Sequence, residues 1–329
     1  MSSEFPTTTT SLRQDHRLQP QRFELKYLIA PGLVAPLRDF VSCHLELDDF
    51  SARRPNQSYP IHSIYLDSDD LQTHRAWLNG TKNRFKLRLR FYDEGADTPV
   101  FCEVKRRVDN AIMKQRCPVR RAAVAGLLAG QMPEPDQIAA PDPRHYAALE
   151  RFILLAQRLN AAPRLHNAYL REAWVRPQDN SVRVTFDREI RAEPCFSGAT
   201  TATMAQPRSL HREFVVLELK FTTRFPNWLR ELVERFSLMQ CSSAKYSSAI
   251  EMLGQHRFGN GHARQGAQPE AARSSAEIQR GTQPVDFEVC TQARMADFHR
   301  DAGASYRTPN RQQDPLRIEE EVGERREIC

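Results

Sequence analysis

Between residues 21 and 254 the chain alternates stretches with a two-residue apolar period and stretches with a helical one. The two-residue period predicts strands over Arg22–Ile29, Pro60–Leu66, Arg84–Tyr92, Val100–Arg107, Ala111–Val119, Arg164–Val175, Ser181–Ile190 and Glu213–Phe221. Helical spacing predicts helices over Pro31–Cys43, Ser68–Leu78, Arg121–Gly130, Arg144–Asn160, Pro226–Phe236 and Lys245–Leu253. Asp109 and Asn110 fit a tight turn between two of the strands, because both tolerate turn conformations.

The polar positions of these strands are unusual. In 84–91, Arg84, Lys86, Arg88 and Arg90 alternate with Phe85, Leu87, Leu89 and Phe91. Side chains alternate across a strand, so one face is wholly cationic and the other wholly apolar. Glu-x-Lys recurs on the polar parity of three other strands, as Glu24/Lys26, Glu103/Lys105 and Glu218/Lys220. Arg183, Thr185 and Asp187 share a parity, as do Tyr169 and Arg171. A single strand of this kind fits an ordinary one-sided sheet in water. The repetition, with amphipathic helices that need an apolar sheet face to pack on, predicts an α+β fold. The expected form is an eight-stranded antiparallel β-barrel with a charged lumen and helices packed outside.

Composition sharpens this reading. The 329 residues include 13 glycines, with no GxxxxGK[ST] phosphate loop and no supported dinucleotide fingerprint. Seven lysines stand against 40 arginines, so each lysine marks a place where a compact charge is wanted. Seven scattered cysteines without CxxC spacing argue against a disulfide scaffold or a zinc ribbon and for a cytoplasmic protein. No apolar run is long enough for a membrane span. Residues 1–20 and 255–329 are polar and aperiodic and read as disordered, leaving 21–254 as the folded domain. The 255–329 segment holds 11 Arg against 12 Asp and Glu, a net of −1, so the rest of the chain carries +7.

A lumen this cationic calls for a polyanion, and glutamates sharing it call for a divalent cation, with hard oxygen donors suited to Mn2+ or Mg2+. Triphosphate fits: linear, highly charged and metal-binding. Glu24, Glu103 and Glu218 are the candidate metal ligands. Nucleic acid is disfavoured, since the cations alternate with core apolar residues instead of aromatics on an exposed stripe.

The segments Arg22-Phe-Glu-Leu-Lys-Tyr27, Ile64-Tyr-Leu-Asp67, Lys86-Leu-Arg-Leu-Arg90, Phe101-Cys-Glu-Val-Lys105, Val182-Arg-Val-Thr-Phe-Asp187, Leu217-Glu-Leu-Lys220 and Lys245-Tyr246 resemble, in order, the VTC domain. This is the polyphosphate polymerase domain of the triphosphate tunnel metalloenzyme superfamily. The resemblance implies a tunnel of eight antiparallel strands and transfer of the γ-phosphate of ATP or another NTP to polyphosphate, with a divalent metal, usually manganese. It puts Lys26, Arg88, Arg90, Lys105, Lys114, Arg171, Arg183 and Lys245 on phosphates, with Lys220 beside them. Tyr169 becomes a phosphate donor and Glu218 a metal ligand. Ala244 stands where the family usually has Ser, and Arg22 where the wider superfamily has Glu. A triphosphatase of the same fold and a non-catalytic module for polyphosphate or inositol phosphate are the alternatives.

Overall fold

The computed structural model describes residues 22–258 except 110 and 223. Of the segments expected to be disordered, 1–20 and all of 255–329 except 255–258 lie outside the described residues.

Ten antiparallel strands form one sheet. They are β1 (Arg22–Ile29), β2 (Glu46–Leu47), β3 (Tyr59–Asp67), β4 (Arg84–Phe91), β5 (Val100–Val108), β6 (Ala111–Val119), β7 (Ala162–Val175), β8 (Val182–Pro194), β9 (Arg208–Ser209) and β10 (Val215–Thr222). The order is β1-β10-β8-β7-β3-β4-β5-β6, with β2 beside β7 and β9 beside β8. The eight long strands are the expected ones. The two-residue strands β2 and β9 are too short to carry a period.

The α-helices are α1 (Val34–Ser42), α2 (Asp49–Ala52), α3 (Gln72–Leu78), α4 (Val124–Leu128), α5 (Pro143–Leu159), α6 (Asn227–Arg235) and α7 (Lys245–Leu253). α5 shows why they form where they do. Asp142 caps its first turn, Pro143 presets its first φ, and Asn160 at φ 48° stops it. Between these ends, Ala148, Leu149, Phe152, Leu155 and Leu159 make one buried stripe. That stripe packs with α4 on the convex side of the sheet, against Leu87, Leu89, Phe91, Cys102 and Val104. α1 and α6 cover the apolar parity of β1, β8 and β10 in a second cluster around Val184, Phe186, Leu217 and Leu219.

The expected closed barrel is not formed. No hydrogen-bonded ladder joins β6 to β1 among the described residues. The outer edge of β1 is occupied by the segment leading into α7: Gln240 bridges Tyr27, and the Cys241 N–H donates to the Lys26 carbonyl at 2.8 Å. These contacts occupy the middle of the β1 edge that β6 would need for a ladder. The two ends of the curled sheet meet through side chains, Lys105 of β5 reaching Glu24 of β1 at 3.1 Å.

The concave face is also not charged throughout. Ile61, Tyr65, Leu165, Ile190, Leu210 and Val216 form an apolar seat for Tyr246, Ala249, Ile250 and Leu253 of α7 and for Phe258. α7 is therefore held against the concave side, unlike α1 and α4 to α6. Phe258 is fully buried, so the packed chain runs past 254. A chain ending after Phe258 should keep a single cooperative melt. Phe258→Ala should lose about 3–5 kcal/mol by denaturant titration. Loss of the cooperative transition in the shortened chain would show that later residues belong to this core.

Candidate functional site

The strand registers line the polar residues up on one face. Lys26 pairs with Glu218, which pairs with Thr185; Glu24 pairs with Lys220, which pairs with Arg183. Arg171 pairs with Asp187, Tyr65 with Arg88, and Arg88 with Glu103. Lys86, Lys105 and Lys114 lie side by side across three strands. All the cations expected from sequence thus share the concave face with Glu24, Glu103 and Glu218.

The cations fall into clusters, each built on a buried carboxylate. Glu218 accepts from Lys220 at 2.5 Å, Lys245 at 3.1 Å and Arg171 at 3.3 Å, with Lys26 at 3.5 Å. Asp187 takes both arms of Arg171 at 2.7 Å and Lys245 at 2.6 Å. Glu103 is held by Arg88 and Lys114, each at 2.6 Å, with Arg90 at 3.8 Å. Glu24 bridges Lys26 at 3.2 Å and Lys105 at 3.1 Å. Arg183 is tied to Asp48 at 2.7 Å. Tyr169 accepts from Arg90 at 3.3 Å, and Lys245 and Arg171 stand over its ring. Tyr65 accepts from Arg88 at 3.2 Å.

Nine cations share five carboxylates here, and the charge states reflect it. Burial would push the Glu218 carboxyl up, but Lys220, Lys245, Lys26 and Arg171 outweigh it and hold it well below the usual range. Glu103 is held down in the same way by Arg88, Arg90 and Lys114, against burial. The lysines split. Burial brings Lys220 down to about 8 even with Glu218 beside it, and holds Lys114 well below normal. Lys245 is raised because Asp187 and Glu218 overcome its burial.

α7 completes the site from its first turn. Ala244 is its N-cap and offers no side-chain bond, so the missing serine hydroxyl is a real difference at this position. The preceding residue compensates toward the sheet: the Ser243 carbonyl accepts from Lys26 at 2.8 Å. His211 borders the site through the Ser243 hydroxyl, 3.3 Å from its Nε2.

Of the three glutamates expected to bind metal, Glu24 and Glu218 share Lys26, while Glu103 lies in a cluster of its own. Among the described residues no group of three or more His, Cys, Asp or Glu side chains is arranged to hold a metal ion. Asp187 was absent from the expected site, although its parity with Arg183 marked its face. Asp48 gave no signal, since it lies outside the long strands as the cap of α2, accepting from the Ser51 N–H. Cys102 is core, Trp174 packs on the convex side, and Trp228 stacks on His44 at 4.6 Å.

Fold and site together define a sheet domain with a cation-rich concave face closed over by its last helix. The VTC domain family matches residues 21–254, and the chain belongs to that family. It is 24% identical over 248 residues to vacuolar transporter chaperone complex subunit 4 of Schizosaccharomyces pombe. That match covers 63% of this chain and 34% of the relative, so the chain spans about a third of that protein's length. Among solved structures, a proposed adenylate cyclase from Bacillus halodurans superposes with TM-score 0.40 at 10% identity, covering 68% of this chain and 94% of the other. A second, from Vibrio parahaemolyticus, gives 0.36 at 10% identity, covering 70% and 97%. No helix among the described residues is long and apolar enough to cross a membrane.

The carboxylate clusters set an acid limit on stability. Glu103 is ionised in the fold below its unfolded pKa of ~4.3, so its contribution is complete above that pH. It is lost as pH falls through the lowered value. Glu103→Gln should cost about 3–5 kcal/mol near neutral pH, because Arg88, Arg90 and Lys114 lose their buried counter-charge. It should also flatten the decline in stability below pH 5, read by urea titration from roughly pH 7 to 3. An unchanged acid limb would remove Glu103 from this account.

Proposed function

We propose that this domain is a metal-dependent phosphotransferase of the polyphosphate polymerase kind, moving the γ-phosphate of ATP onto a polyphosphate chain. The observation that carries this reading is the surplus of cations on the concave face, where Glu218, Asp187, Glu103 and Glu24 are each already shared between two or more of them. A linear polyanion lying along that face would supply the missing negative charge. Family membership supports the same substrate class.

Phosphoryl transfer asks little covalent chemistry of the protein; it needs in-line placement and charge compensation. Arg88 and Arg90 lie two residues apart on one face of β4, and their guanidinium forks suit nonbridging phosphate oxygens. Lys26, Lys105, Lys114, Lys220 and Lys245 add compact charges, and Arg171 and Arg183 extend the grip. An acceptor phosphate is already ionised, so no strong base is required of the site. The Tyr169 hydroxyl serves as a donor to phosphate once Arg90 turns to the ligand.

Glu24 and Glu218 fit a divalent cation, Mn2+ or Mg2+. Both approach Lys26 Nζ, at 3.2 and 3.5 Å, and both present hard oxygens. Glu103 fits less well, since its partners are Arg88, Arg90 and Lys114 and it shares none of them with Glu24 or Glu218. A cation at Glu218 would offset charge on the bridging and leaving phosphate oxygens when bound.

Incubating the purified protein with ATP and Mn2+, then staining a gel for polyphosphate, tests the reading. Chains accompanied by ADP are expected. Orthophosphate as the sole phosphate product would make the domain a triphosphatase, and binding without turnover would make it a binding module. Glu218→Gln should collapse turnover by several kcal/mol, roughly a hundredfold or more. Metal-free tripolyphosphate binding should persist or tighten, because a repulsive anion is gone. Near-normal turnover with an unshifted Mn2+ optimum would remove Glu218 from the metal.

A further inference from the structure

Lys86 departs from the pattern of its neighbours. It lies directly opposite Lys105, which lies opposite Lys114, and like charges facing each other across a ladder are unfavourable. Lys105 is relieved by Glu24, and Lys114 by Glu103. No carboxylate among the described residues forms an ion pair with Lys86. Its ammonium donates to Ser247 Oγ at 3.1 Å and stands 5.3 Å from the ring centre of Tyr246 and 5.9 Å from that of Trp77.

A carboxylate is nearby in the fold but committed elsewhere. Asp67 ends β3, the strand next to β4, and is fully buried. Its Oδ1 accepts from the Ser68 and Thr73 N–H groups at 2.8 and 2.9 Å. Its Oδ2 accepts from the Thr73 hydroxyl and the Tyr246 hydroxyl at 2.7 Å and from the His74 N–H at 3.1 Å. Asp67 therefore pins the first turn of α3 and docks α7, and its oxygens are saturated. Burial, with Lys26, Lys105 and Arg84 around it, outweighs the attraction of Asp67 and holds the Lys86 ammonium well below its usual range. An ammonium with three donors, one of them accounted for by Ser247, sits in a field of like charge.

We propose that Lys86 is an anion subsite at the α7 end of the concave face, taking a phosphate unit of a polyphosphate chain that extends beyond the Arg88–Arg90 grip. This rests on the polyphosphate reading above. Lys86 is two residues before Arg88, about 7 Å farther along the strand, so it extends the cationic track in the direction of β4's start. Trp77 and Tyr246 flank the ammonium, and an arriving phosphate supplies the direct ion pair that Asp67, saturated by other donors, does not.

The test compares tripolyphosphate with long-chain polyphosphate, titrated calorimetrically without metal into the wild-type protein, Lys86→Met and Lys86→Arg. Methionine keeps an apolar stem between Trp77 and Tyr246 and removes the charge. Long-chain affinity should fall roughly tenfold in Lys86→Met, the scale of one charge-assisted hydrogen bond. Tripolyphosphate affinity should hold, and Lys86→Arg should keep the long-chain affinity. The melting temperature of Lys86→Met without ligand should rise, because an uncompensated cation is gone; a lysine needed for packing would give a fall. Equal losses for both ligands would place Lys86 in the triphosphate grip and overturn the separate subsite. No loss for either would remove Lys86 from binding while leaving the functional reading intact. Failure of the wild-type protein to bind either ligand would overturn both.

Discussion

Like charge crowded on one side of a curled sheet is the constraint that the rest of this structure answers. Strand alternation makes it unavoidable: once Leu87, Leu89 and Phe91 face the helices, Lys86, Arg88 and Arg90 must face the other way. Buried cations are costly unless paired, and their mutual repulsion grows where water is scarce. The fold meets this by giving nearly every group of cations its own carboxylate. Glu218 and Asp187 hold Arg171, Lys220 and Lys245, Glu103 holds Arg88 and Lys114, and Glu24 ties Lys105 to Lys26. These pairs keep the cations in place without cancelling them.

The same ion pairs decide the architecture around the site. Lys245 enters the Asp187–Glu218 cluster from α7, so the last helix docks by charge at its first turn and by Tyr246, Ile250 and Leu253 along the rest. The chain before it lies on the edge of β1, and that leaves the sheet open where a barrel would close. Lys105 and Glu24 span the gap with an ion pair instead of a backbone ladder. A face bounded by side chains can exchange its internal pairs for pairs to a ligand without breaking the sheet.

Most of the fold was legible because most of its long strands carry a two-residue apolar period, and 84–91 is the plainest case. The helices were legible for the same reason, their stripes ending at residues such as Pro143 and Asn160. What sequence did not disclose lacks periodicity. β2 and β9 are two residues long, the β1 edge is filled by an irregular segment, and Phe258 reaches the core from a 3-10 turn after α7. At the site, parity placed the cations and glutamates on one face but could not say which acid holds which base. Asp187 was on the right parity and its role follows only from its register with Arg171. Asp48 is brought to Arg183 by tertiary packing that no local pattern encodes.

The central claim is that the fold holds a surplus of positive charge in readiness for a linear polyanion. Calorimetric titration of tripolyphosphate into the metal-free protein at increasing salt tests it most directly. The account predicts one site per chain, an affinity that falls steadily as salt rises, and loss of binding when Arg88 and Arg90 are both replaced by alanine. Absence of binding at low salt, or binding that survives the double replacement, would contradict it.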